Sequence, residues 1–82
     1  MQVDGRTRAG AMLWLDDSAA PLADKVRRAV AFYESKYGKK ATRCRINSTT
    51  AGPGFTTPTE IAGVKVVIDG RILNSHLWVG AD

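Results

Sequence analysis

Between Pro21 and Gly38 the chain repeats apolar residues at the spacing of a helix. Leu22, Val26, Ala29, Val30, Tyr33 and Tyr37 stand at i, i+4, i+7, i+8, i+11 and i+15. At about 100° per residue these positions fall in one stripe. Asp24, Arg27, Arg28, Ala31, Glu34 and Ser35 take the other side, so the segment is predicted as an amphipathic helix with one face to bury. Its ends are also marked. Pro21 suits a first turn, where its missing N–H would have no partner and its fixed φ is already helical. Asp16, Asp17 and Ser18 lie upstream, where side-chain oxygens can accept orphan N–H groups. Lys36 falls in the last turn, and Gly38 is expected as a left-handed terminating residue.

The other segments change period. Ala11 to Leu15, AMLWL, is an unbroken apolar run that reads as a strand buried on both faces. In Ala41 to Asn47, Thr42, Cys44 and Ile46 alternate with Arg43, Arg45 and Asn47, the pattern of a half-buried strand whose arginines face water. Ser48 to Glu60 holds five threonines, two prolines and two glycines in thirteen residues. This composition predicts a long loop, with Phe55 as its anchor. VKVVI over 64–68 and RILNSHLWV over 71–79 read as two further strands joined at Asp69-Gly70, a favoured two-residue turn. Such a turn would place Ile68 opposite Arg71 and mix core with solvent, so a longer connection is the alternative.

The fold class is therefore α+β: a single small domain in β-α-β-β-β order, with one helix packed on one face of a mainly antiparallel four-stranded sheet. Residues 1–10, with Arg6 and Arg8 and little to bury, are expected to be a flexible N-terminal arm, and residues 11–82 the domain. One helix covers one face, yet the strands carry apolar residues on both. Either the 48–60 loop folds over the second face or a second copy of the chain covers it, which makes a homodimer an expected assembly.

Composition narrows the function classes. Eighty-two residues make one domain with a small core, too small for a deep multistep active site. The apolar fraction of 44% and charged fraction of 24% are those of an ordinary globular chain. No apolar run is long enough to span a bilayer, and no secretory signal is legible. A single cysteine, Cys44, rules out an internal disulfide and fits a cytoplasmic location. The net charge of +4, with a pI near 9.6, favours acidic partners.

The candidate chemistry is concentrated in one run. Lys36, Lys39, Lys40, Arg43 and Arg45 occur within ten residues without an acid, a cluster suited to phosphates through Coulomb attraction and counterion release, with arginine adding bidentate hydrogen bonds. Tyr37, Phe55 and Trp78 offer stacking surfaces for unpaired bases. The competing explanation is a solvated surface that guards a strand edge. Trp14, Phe55 and Trp78 are the candidate interface anchors.

No catalytic residue, cofactor or metal site is assigned. Asp16-Asp17 could contribute to a divalent-cation site, but helix capping accounts for both. His76, the only histidine, could act as an acid or base at neutral pH. A thiolate pair with Cys44 is opposed by the alternation, which turns Cys44 inward. The expected function is a small non-enzymatic binding or assembly module contacting nucleic acid through its basic patch. The alternatives are a homodimerisation domain without nucleic-acid binding and a small histidine-dependent nuclease.

Overall fold

The computed structural model describes residues 11–56 and 59–81, so the expected arm at 1–10 lies outside the described residues. The elements follow in the order β1 (Met12–Leu15), α1 (Leu22–Tyr37), β2 (Arg43–Ile46), α2 (Ser48–Ala51), β3 (Thr59–Ile61), β4 (Val64–Ile68) and β5 (His76–Gly80). They build one α+β domain, in which α1 packs on a five-stranded sheet ordered β1-β5-β2-β4-β3. Three of the four pairings are antiparallel, and β2 with β4 is parallel.

The apolar stripe of α1 is buried as its period requires. Val26, Ala29, Val30 and Tyr33 meet Met12, Cys44, Ile46, Val64, Val66, Leu77 and Val79 from one face of the sheet, with Leu22 and Tyr37 packed at the margin. Each large side chain so buried contributes roughly 1.5–3 kcal/mol. Gly38 ends the helix with φ 69°, and its N–H donates to the Glu34 carbonyl at 2.9 Å. The Glu34 carboxylate accepts from the Ala41 N–H at 3.1 Å, tying the end of α1 to the start of β2.

The start of α1 differs from the capping scheme expected at Asp16, Asp17 and Ser18. Pro21 stands just outside the helix in an extended conformation, and its carbonyl accepts from the N–H groups of Asp24 and Lys25. No side chain caps this end. Asp16 instead closes its own local turn, accepting the Ser18 N–H at 3.1 Å and the Ser18 hydroxyl at 2.7 Å.

The region expected as one loop over 48–60 contains two elements. Asn47 caps α2 by accepting the Thr49 N–H at 2.8 Å, and β3 forms a hairpin with β4 through Ala62-Gly63, at φ 55° and 80°. Positive φ at both central residues is the turn geometry that matches strand twist. The two-residue hairpin therefore falls here and not at Asp69-Gly70. This added reversal makes β4 run parallel to β2, and β5 is reached by a connection that crosses the end of β2.

That connection is held by side chains from the neighbouring elements. The Asn47 side-chain amide donates to the Ile72 carbonyl at 2.9 Å. Thr50 donates its hydroxyl to Asn74 and accepts the Ser75 N–H. Ala51 and Phe55 pack against the same core as α1, so these described residues of the segment close the helix side of the sheet and not its second face. The strand β1 is likewise not buried on both faces. It is an edge strand whose Met12 is buried and whose Leu13 and Leu15 are 53% and 59% exposed, because a single helix cannot cover both sides.

Candidate nucleic-acid interface

The sheet face away from α1 collects the alternate residues of every strand. Leu13 and Leu15 come from β1, His76 and Trp78 from β5, Arg43 and Arg45 from β2, Lys65 and Val67 from β4, and Glu60 from β3. The register aligns them in rows. Leu13, Trp78, Arg45 and Val67 stand side by side, and Gly80, Arg43, Lys65 and Glu60 form the next row.

Trp78 lies near the middle of this face. Its six-membered ring occupies the space a side chain at Gly80 would need, since a Cβ there would come within 2.6 Å of Cη2. The indole therefore reclines along its own strand instead of standing off it. The Arg45 guanidinium carbon sits 4.9 Å from the ring centroid, within the range of a cation–π contact.

Arg45 is also held electrostatically, with Nη1 3.6 Å from the Asp69 carboxylate. Arg71 grips the same carboxylate at 3.0 and 2.9 Å and adds its backbone N–H at 3.0 Å. The Arg71 side-chain hydrogen bonds, then its N–H, then the nearby Arg71 and Arg45 charges draw the Asp69 carboxyl down to about 2. Asp69 thus stays ionised at neutral pH, within ion-pair distance of Arg45.

The five basic residues singled out in the sequence do not all meet. Arg43 and Arg45 are half-buried on this open face. Lys39 and Lys40 are exposed in the turn between α1 and β2. Lys36 belongs to the helix layer, where its Nζ lies 6.0 Å from the Phe32 ring and 5.8 Å from the Tyr37 ring. The arginines and Lys36 thus lie on opposite sides of the sheet.

The three candidate anchors divide in the same way. Trp14 faces the helix side, with its ring 5.0 Å from that of Phe32. Phe55 packs against the core on that side, and Trp78 alone of the three lies on the open face. Sequence reasoning passed over Lys65 and Gly80. Alternation in VKVVI and HLWVG carries the signal for both, because residues two apart along a strand share a face.

Cys44 points into the core, and burial pushes its thiol up to about 12. His76 is on the opposite face, its Nδ1 3.0 Å from the Asn74 carbonyl, so the two cannot form a nucleophilic pair. Asp16 is engaged by Ser18 and lies 3.6 Å from Arg28. Among the described residues no three His, Cys, Asp or Glu side chains gather as a metal site would need, and no helix is long and apolar enough to cross a membrane.

Comparison with known proteins finds no family model, curated protein or solved structure that matches the chain.

Proposed function

We propose that the chain is a small non-enzymatic binding module whose open sheet face contacts nucleic acid. The observation that carries this reading is the Arg45 guanidinium set against the Trp78 ring, with Arg43 and Lys65 on the adjoining strands. Cations at the surface neutralise phosphates and release counterions, while an aromatic ring and a planar guanidinium both accept stacked bases. Glu60 and Asp69 offset part of the positive charge, and Lys39 and Lys40 add to it at one end.

Fluorescence anisotropy with a labelled oligonucleotide tests the proposal. Neutralising about three phosphates should lower log K by roughly 2–3 per decade of salt, and Arg43→Glu with Lys65→Glu should abolish binding while the circular dichroism spectrum is retained. Salt-insensitive binding, or full binding by the double variant, would count against it.

A second reading is homodimerisation through β1, favoured by the exposure of Leu13 and Leu15 and by the outer edge of β1, which pairs with no other described strand. Unpaired edges carrying apolar side chains invite a second copy. Light scattering separates the two readings: a dimer dispersed by Leu13→Lys supports this one, and a monomer at high micromolar concentration removes it.

A further inference from the structure

We infer that the nucleic acid taken by this face is single-stranded, with an unpaired base stacked at Trp78; this rests on the reading above and specifies its ligand. Gly80 lies within β5 in ordinary strand backbone, so its conformation does not call for glycine. What calls for it is the indole, because the lightest side chain at this position would meet Trp78 Cη2 at 2.6 Å and Cζ3 at 3.0 Å. A missing side chain thus lets a large aromatic lie low on a sheet surface, where an upright indole would stand off as a ridge.

The partners around the ring are placed for a strand that passes with its bases inward. Arg43 is the direct cross-strand neighbour of Gly80, and Lys65 is the next residue in that row. With strands about 4.8 Å apart, the strands that carry these two residues lie roughly 5 and 10 Å from β5, on the side where the backbone of a stacked nucleotide could run. The Arg45 guanidinium lies over the ring, 4.9 Å from its centroid and 3.6 Å from the Asp69 carboxylate, so an incoming base meets a guanidinium–indole pair, both parts of which can stack.

Geometry disfavours docking in the major groove of a duplex. Five strands at about 4.8 Å span roughly 19 Å between the outer strand axes, whereas the major groove is about 12 Å wide and admits a helix or a two-stranded ribbon. A broad sheet face cannot enter it, and paired bases hide the faces that Trp78 would stack on. A single strand presents those faces without any cost of unpairing.

The test uses the Trp14→Phe protein, in which Trp78 is the single tryptophan, titrated with a ten-nucleotide dT strand, a ten-nucleotide rU strand and a ten-base-pair DNA duplex. Both single strands, or one of them, should quench Trp78 emission and bind on the order of tenfold more tightly than the duplex. Trp78→Ala, followed by anisotropy, should weaken single-strand binding by about the same factor. Gly80→Ala should do likewise with the indole still present but displaced, so the question is answered even if removal of Trp78 unfolds the chain. The comparison of dT with rU tells which sugar is preferred.

Duplex binding as tight as single-strand binding, with Trp78 emission unchanged, would overturn the single-strand inference and leave nucleic-acid contact standing. Absence of binding to all three probes at low salt would remove both.

Discussion

The two faces of the sheet are made by the same strands and follow opposite rules. On the α1 side, Cys44, Ile46, Val64, Val66, Leu77 and Val79 are fully buried and purely apolar or nearly so. One residue along in β2, β4 and β5, Arg43, Arg45, Lys65, His76 and Trp78 carry charge or aromatic surface to the other side, beside the apolar Val67, Leu13 and Leu15. The first face is selected for close packing, where each lost methylene costs energy. The second keeps cations and an indole where stability gains little from them. A surface that folding does not require is where function is best sought.

Mutations can break this contrast. The largest effect is expected from Val26→Asp, which sets a charge in the most enclosed part of α1. Loss of an apolar contact together with an unpaired buried charge exceeds the margin of so small a domain, and circular dichroism at 25 °C should show an unfolded chain. Leu77→Ala and Leu15→Ala compare the two faces directly. The first should cost about 2–5 kcal/mol and the second less than about 0.5 kcal/mol in urea unfolding. Equal costs would mean that Leu15 is covered in solution, as the dimer reading requires.

The acid limb tests the electrostatics behind the open face. Asp69 has a folded-state value of about 2, below the ordinary carboxylate value. Its contribution is present above about pH 4 and is lost as pH falls toward 2. Asp69→Asn should remove this part of the pH dependence and loosen Arg45 without disturbing the core, which urea titrations at pH 2, 3 and 5 would resolve.

A smaller effect is expected at Tyr33, whose buried hydroxyl has no well-formed hydrogen bond and whose ionisation burial opposes. Tyr33→Phe should leave stability unchanged or raise it by about 1 kcal/mol. The smallest expected gain is at Ala62, held at φ 55° in the β3–β4 turn. Ala62→Asn should stabilise by about 0.5–1 kcal/mol, because asparagine tolerates the left-handed region better than alanine.

How much of this was legible in the chain varies with the range of the interaction. The stripe Val26, Ala29, Val30, Tyr33 and the stop at Gly38 are readable because a helix closes its hydrogen bonds within four residues. The inward turn of Cys44 and the outward turn of Arg43 and Arg45 follow from alternation, which is also local. The start of α1 is not legible in the chain, because aspartates and serine beside a proline fit a cap equally well as a turn of their own. The hairpin at Ala62-Gly63 lacked the Asn-Gly or Asp-Gly signature that Asp69-Gly70 resembles, so the turn with the better dipeptide drew the prediction and the other formed the hairpin.

The sequence by itself determined one amphipathic helix, the inner and outer residues of β2, and an excess of positive charge. All three are set by periodicity or by counting. Strand order, the parallel pairing of β2 with β4, the separation of Lys36 from Arg43 and Arg45, and the meeting of Arg45, Trp78 and Gly80 were decided only by the tertiary structure. Strand neighbours are chosen by hydrogen bonds and packing between segments distant in the chain, and no local pattern encodes which edge a strand will join.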